Sequence, residues 1–134
     1  MKRPVLLVAM FSIATILLVG CSTAAAAARV IKLTSADAGR TVAVNRGDTL
    51  EVTLAGNPTT GYQWELASDS AGHLKQIGQP EFKADSSLLG AGGAVTLRFE
   101  AAQSGDAALK LIYHRSFEKD VPPLETFAVT VAIK

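Results

Sequence analysis

Apolar and polar residues alternate with a period of two along most of the chain after residue 29. In one segment Leu50, Val52 and Leu54 alternate with Glu51 and Thr53. Since successive side chains of a strand point to opposite faces, this pattern predicts half-buried strands. The same alternation recurs in further segments: Ile31–Leu33, Val42–Val44, Tyr62–Leu66, Val95–Glu100, Leu109–Tyr113 and Phe127–Ile133.

The spacing of these segments predicts an all-β domain. Turn-forming residues separate several of them, as at Asn45–Asp48 and Ser104–Asp106. One apolar and one mostly polar face per strand is typical of antiparallel sheets with a solvated side. We therefore predict an immunoglobulin-like antiparallel β-sandwich of about 7–8 strands. A core position for Trp64 is favoured over a binding role.

The segment from residue 69 to 85 has a less regular pattern. Leu74 and Ile77 indicate a short strand or turn, Glu81–Lys83 indicates an edge strand, and Ser68–Gly72 has room for one helical turn. The chain shows no long helical periodicity and no internal repeat.

Three segments between the predicted strands are candidate binding loops. The first is Asn57, Pro58, Thr59, Thr60, Gly61 and Tyr62. Asn before Pro starts a turn, and Gly61 can adopt a positive φ without steric cost. The two threonines are stiff at χ1, which suits a surface that must keep its shape. An ordinary well-formed loop is the alternative interpretation.

The second loop is rich in glycine and the third carries a Phe beside an Arg. The second comprises Gly90, Ala91, Gly92 and Gly93, where missing side chains would let another backbone approach, or simply make a flexible connection. The third runs from His114 to Pro123 and includes Arg115 and Phe117. These two side chains suit an interface, although Phe117 could instead fold onto the domain and Arg115 could be solvated.

Together the three loops resemble those of chagasin-type inhibitors of papain-like cysteine peptidases. That family carries an NPTTG-type loop, a GxGG loop and an RPF-type or RPW-type loop in this order. The first two motifs match in full, whereas Ser116 stands where the family usually has proline. Because proline would fix φ at the tip, this difference bears on affinity and on which peptidases are bound. The resemblance covers roughly Arg29 to Lys134.

The resemblance implies reversible, non-covalent, competitive inhibition by loops that emerge at one end of the sandwich. The first loop would enter the active-site cleft, with Thr59 and Thr60 near the catalytic thiolate and its histidine. The second loop would lie along the cleft, and Arg115 and Phe117 would grip its opposite side. The alternative is an envelope adhesion or assembly module that uses the same loops or a sheet edge.

The beginning of the chain has the pattern of a secretory signal. Lys2 and Arg3 precede an apolar run, Val5–Val19, and Gly20-Cys21 completes a sequence that looks like a bacterial lipobox. We therefore expect residues 1–20 to be a lipoprotein signal peptide, residues 21–28 a tether beginning at a lipidated Cys21, and residues 29–134 the inhibitor domain. An ordinary signal peptide cleaved within Ala24–Ala28 is the alternative. The expected location is the bacterial cell envelope, at the outer membrane if the source is Gram-negative.

Composition and charge limit which disulfides, partners and catalytic sites can be expected. Cys21 is the single cysteine, so the domain is expected to lack disulfides. Removing Lys2 and Arg3 from the 13 basic residues leaves 11 against 12 acidic ones, and no basic run suggests nucleic acid. The chain is expected to be a monomer without cofactor or metal, and not an enzyme. The enzymatic alternative places His114, with Glu118 or Asp120, beside Ser116 in a hydrolytic site.

Overall fold

The computed structural model describes residues 26–67 and 72–134. The predicted signal peptide, Cys21 and most of the predicted helical turn at 68–72 lie outside these residues. Within them, no helix is long and apolar enough to cross a membrane. The described elements are eight strands and two 3₁₀ helices: β1 Val30–Thr34, 3₁₀ Ser35–Asp37, β2 Thr41–Val44, β3 Thr49–Gly56, 3₁₀ Pro58–Thr60, β4 Gln63–Leu66, β5 Leu74–Ala84, β6 Gly93–Ala101, β7 Gly105–His114 and β8 Glu125–Ile133.

The strands form two four-stranded sheets, and this confirms the predicted β-sandwich. One sheet has the order β1-β3-β6-β5 and the other has the order β2-β8-β7-β4. Most neighbours are antiparallel, but β1 pairs in parallel with β3, and β2 pairs in parallel with β8. These two parallel pairs differ from the antiparallel pairing that was predicted throughout. Alternation shows which face of a strand is buried, but it does not show the direction of the neighbouring strand. Residues 35–40 carry the chain between the sheets, so β1 and β2 cannot form a hairpin.

The core lies between the sheets and consists of the alternating apolar residues of both. Its largest fully buried side chains come mainly from the central strands, with Val44 from the edge strand β2: Val44, Leu50, Val52, Leu97, Phe99, Leu109, Leu111 and Val131. Trp64 is also buried, and its Nε1 donates a hydrogen bond to the Ala55 carbonyl at 2.9 Å. The predicted core role of Trp64 is therefore confirmed, and its polar atom is satisfied within the fold.

The irregular segment after residue 72 is one long edge strand and not two short elements. β5 runs from Leu74 to Ala84, with a shift of register between Ile77 and Glu81. Gly78 has a φ of 67°, and Pro80 follows within this bulge. The bulge interrupts the period-two pattern, which explains why the sequence indicated separate pieces. Pro80 lacks an N–H, a feature that protects edge strands from further pairing.

A buried carboxylate closes the end of the sandwich where β1 and β3 begin. Asp48 accepts hydrogen bonds from the backbone N–H of Arg29 at 3.0 Å and of Asn45 at 2.8 Å, and it pairs with the Arg29 guanidinium at 3.0 Å. These bonds, the one from the Arg29 backbone first, hold the pKa of Asp48 below its ordinary value. The chain therefore enters the sandwich at this end, and the loop after Gly56 lies at the other end of β3.

Candidate functional site

The first loop is a closed turn held by its own side chains. Asn57 caps the short 3₁₀ helix, and its Oδ1 accepts hydrogen bonds from the Thr59 N–H at 3.1 Å and from Thr59 Oγ1 at 2.6 Å. Thr60 Oγ1 donates to the Asn57 carbonyl at 2.6 Å. Gly61 ends the turn with a φ of 81°. Both threonine hydroxyls therefore bond within the loop, which adds to the stiffness expected from their β-branching.

The second loop occupies residues 85–92 and is joined directly to the first. Its base is closed by a hydrogen bond from the Asp85 N–H to the Gly92 carbonyl at 3.0 Å. Asn57 Nδ2 donates to the Gly90 carbonyl at 3.0 Å. Gly90 has a φ of 76°, which explains a glycine at this point. The loop is thus held against the first loop by a bond between a side chain and the backbone.

Gly93 belongs to β6 and not to the second loop. It pairs with Gly56 in β3 and with Ala84 in β5. A Cβ at this position would overlap the Lys83 carbonyl oxygen and lie 2.8 Å from the Ala84 Cα. The space left by the missing side chain is therefore filled by β5 of the same chain. This corrects the interpretation that Gly93 leaves room for another molecule.

Two exposed leucines in the second loop escaped the sequence analysis. Leu88 is 76% exposed and Leu89 is fully exposed, immediately before Gly90. In the sequence, these two adjacent apolar residues stand between polar residues and a glycine, and this pattern could have identified them as exposed loop residues. Large exposed apolar side chains that lie together mark an interaction surface more often than single ones do. They add an apolar component to the second loop.

The third loop reaches the first through Arg115. Its Nε donates to the Thr60 carbonyl at 3.1 Å, and its guanidinium carbon lies 4.4 Å from the centre of the Tyr62 ring. Glu118 accepts a hydrogen bond from Arg115 at 3.0 Å, which raises the pKa of the guanidinium above its ordinary value. Arg115 is therefore fixed to the first loop and is not simply solvated. Phe117 is 71% exposed, and its ring edge lies against Gly61.

The arrangement around His114 does not resemble a hydrolytic site. The imidazole Nε2 lies 2.6 Å from Glu65 Oε2 on β4. The hydroxyl of Ser116 accepts a hydrogen bond from Gln63 Nε2 at 3.1 Å. The candidate nucleophile and base thus have separate partners, whereas a triad needs them to bond to each other. This cluster links β4 to the base of the third loop.

All three predicted loops therefore lie at one end of the sandwich and are connected to one another. A model of the chagasin family, peptidase inhibitor family I42, matches residues 43–131, which include all three loops. The chain belongs to the chagasin family of peptidase inhibitors. It is accordingly a member of a family of inhibitors and not of enzymes.

The regions that match this chagasin-family chain cover almost the whole length of its relatives. Amoebiasin-1 from Entamoeba histolytica is 29% identical over 107 residues, which are 78% of this chain and 100% of amoebiasin-1. Chagasin from Trypanosoma cruzi is 31% identical over 102 residues, which are 73% of this chain and 93% of chagasin. The crystal structure of a cysteine protease inhibitor from Entamoeba histolytica superposes with a TM-score of 0.65 at 24% identity, covering 81% of this chain and 98% of that protein. This last similarity supports the fold, and the resemblance seen in the sequence is confirmed at the level of the family.

Proposed function

We propose that the protein inhibits papain-like cysteine peptidases reversibly by placing its three-loop end in their active-site cleft. The observation that carries the proposal is the direct bonding of the first loop to the second through Asn57 and to the third through Arg115. The family is one of peptidase inhibitors, and a relative of the same fold is described as a cysteine protease inhibitor.

The shape of this end suits a wedge. The turn at Thr59 and Thr60 is exposed and forms the centre. Leu88 and Leu89 provide exposed apolar surface on the second loop, and Phe117 provides it on the third. The turn enters the cleft near the catalytic thiolate, and the apolar side chains contact its walls. Inhibition by this mode needs no covalent bond and is competitive with substrate.

The bonds between the loops account for affinity. A loop that is ordered only on binding reduces the net binding free energy by its lost conformational entropy. Here that ordering has already occurred during folding, because the loops are tied to each other and to the strands. Arg115 serves mainly to fix the first loop, so we expect Phe117 and the two leucines to make the larger direct apolar contacts.

A titration tests the proposal. Because every described strand lies within residues 30–133, a chain beginning at Arg29 retains both sheets. This chain, checked for folding by circular dichroism, is titrated against papain and a cathepsin L-type enzyme with a fluorogenic substrate. Competitive inhibition at or below micromolar concentration is expected. The absence of inhibition by folded protein would contradict the proposal and favour an envelope binding module.

A matched pair of variants identifies the surface that binds. Leu89→Ser and Val30→Ser each remove an exposed aliphatic side chain, and neither side chain is buried in the core. Leu89 lies in the second loop, whereas Val30 pairs with Thr49 at the far end of β3. Leu89→Ser is expected to weaken inhibition about tenfold, as the loss of a well-placed apolar contact does. Val30→Ser is expected to leave inhibition unchanged, and equal effects would place the contact surface elsewhere.

Insertion of the first loop as a wedge also predicts a specific effect of substitution at Thr60. We expect Thr60→Asp to weaken inhibition far more than Thr53→Ala, because Thr60 lies at the tip and Thr53 lies on the outer face of β3, where it contacts Thr96 Oγ1 at 3.3 Å. The inhibition constants of the two variants are compared with that of the unchanged chain. Similar losses would exclude the first loop as the inserted element.

The proposal includes attachment of the mature protein to the bacterial envelope through lipid on Cys21. The position of Arg29 supports a useful orientation. Val30 pairs with Thr49, and the first loop follows Gly56 at the other end of β3, about 25 Å away for eight residues of strand. A tether before Arg29 would therefore hold a monomeric inhibitor with its loops pointing away from the membrane.

Detergent phase partition and labelling with a fatty-acid analogue test the anchor in bacterial cells that express the full chain. The unchanged protein is expected to carry label and enter the detergent phase, whereas Cys21→Ala is expected to lose both properties. Label that survives in Cys21→Ala would contradict attachment at this residue.

A further inference from the structure

Asn57 uses every one of its polar groups inside the protein. Its backbone N–H donates to the hydroxyl of Tyr113 at 2.9 Å, and its carbonyl accepts from Thr60 Oγ1 at 2.6 Å. Its side-chain Oδ1 accepts from Thr59, and its Nδ2 donates to the Gly90 carbonyl. The backbone N–H and one of the two Nδ2 N–H groups of Asn57 are thus used inside the protein. Its place at the head of the first loop therefore calls for a role within the inhibitor.

Tyr113 connects Asn57 to the core and to the third loop. It is 6% exposed on β7, two residues before Arg115. The centre of its ring lies 5.0 Å from that of Trp64 and 5.3 Å from that of Tyr62. Arg115 in turn lies over the Tyr62 ring at 4.4 Å. The Tyr113 hydroxyl is therefore a rigid acceptor, held by a column of rings that continues into the third loop.

We propose that Asn57 and Tyr113 are positioning residues that fix the positions of the three loops relative to one another and do not themselves contact the peptidase. The inference rests on the proposed function for its effect on inhibition. Tyr113 fixes the height of the first loop through the Asn57 N–H, Asn57 fixes the second loop through Gly90, and the column of rings fixes the third. Asn57 and Tyr113 together thus form a hub that joins the loops. When a contact of this hub is removed, the loops sample other arrangements and only a fraction of molecules can bind.

Two conservative variants remove single contacts of the hub. Tyr113→Phe keeps the ring and its stacking but leaves the Asn57 N–H without its acceptor. Asn57→Ser keeps a residue that can cap the 3₁₀ helix, but its side chain is too short to bond to Gly90. We expect about tenfold weaker inhibition from Tyr113→Phe, the usual consequence of leaving a partly buried donor unpaired. The double variant is expected to lose less than the product of the two single losses, because both act through one hub.

The division of the effect between rates separates positioning from direct contact. If fewer molecules are competent to bind, the association rate falls by the same factor as the affinity and the dissociation rate is unchanged. A lost contact with the peptidase would instead raise the dissociation rate. Ile133→Val is the control for general destabilisation, because Ile133 is buried at the opposite end of the sandwich, where it pairs with Gly105. This variant is expected to unfold more easily and to inhibit normally.

Hydrogen–deuterium exchange of the free protein completes the test, since it does not depend on any peptidase. Tyr113→Phe is expected to accelerate exchange in residues 57–62 and 85–92 while exchange in β6 and β8 stays as in the unchanged chain. Unchanged exchange in the loops would overturn the inference whether or not the protein inhibits. An association rate equal to that of the unchanged chain would also overturn it. If the loops exchange faster but the unchanged chain inhibits no papain-like peptidase, the positioning role stands and the proposed function fails.

Discussion

Replacing Gly93 with alanine would force a methyl group between two paired strands. Gly93 is flanked by Gly56 on β3 and Ala84 on β5, and the new Cβ would lie 2.8 Å from both the Ala84 Cα and the Lys83 carbonyl carbon. Carbon atoms in contact normally remain about 3.5 Å or more apart. The obstacle is backbone, so no side chain can rotate out of the way. The edge strand β5 must move away from β6, or the pairing at this end must open.

The magnitude follows from two opposing contributions. An added methyl group in a closely packed position costs about 1–3 kcal/mol, and a backbone obstacle places Gly93→Ala near the upper value. Reduced freedom of the unfolded chain returns about 0.4–1 kcal/mol. The net loss of unfolding free energy is therefore about 2 kcal/mol. For a domain of this size it corresponds to a fall in Tm of about 10 °C.

Gly92→Ala is the matched control. Its Cβ would lie 3.7 Å from the Gly56 carbonyl oxygen and 4.0 Å from the Asn57 Cβ, which are ordinary contacts. Thermal and urea unfolding followed by circular dichroism measure both variants against the unchanged chain. Gly92→Ala is expected to keep or slightly raise the Tm. If Gly93→Ala also unfolds within about 0.5 kcal/mol of the unchanged chain, a variation typical of unconstrained surface positions, the strand packing described around Gly93 is wrong.

Three further predictions concern acid stability, the core and the third loop. Because the folded-state pKa of Asp48 lies below its unfolded value of about 3.8, its contribution to stability is complete above that pH and is lost as the pH falls through the folded-state pKa. Urea unfolding at several pH values below 5 should therefore show a shallower acid loss for Asp48→Asn, and parallel curves would contradict this. Phe99→Ala removes a fully buried ring and should cost about 3–5 kcal/mol, whereas Phe82→Ala, at the exposed edge strand, should cost much less in the same assay; equal costs would contradict the placement of the core. Ser116→Pro should maintain or improve the inhibition constant, because proline fixes φ and only an exposed hydrogen bond to Gln63 is lost; a large rise would show that this loop binds differently.

The sequence by itself determined the class of fold and the family. Alternation in segments such as Leu50–Leu54 arises because one face of the strand is buried, and the order of apolar and polar residues within the segment shows this directly. Trp64 in such a segment was predicted to be in the core, and the structure confirms this. The three loop motifs were equally readable, because turn residues and their order need no knowledge of strand partners.

Only the tertiary structure decided how these elements meet. The parallel partners of β1 and β2 and the continuity of β5 across its bulge depend on pairing between distant segments. The same is true of Gly93, whose missing side chain makes room for β5, and of Asn57, whose bonds reach residues 33 and 56 positions away. Local periodicity records the environment of a residue but not the identity of its neighbour. For this reason the candidate loops could be read from the sequence, whereas the contacts that hold them together could not.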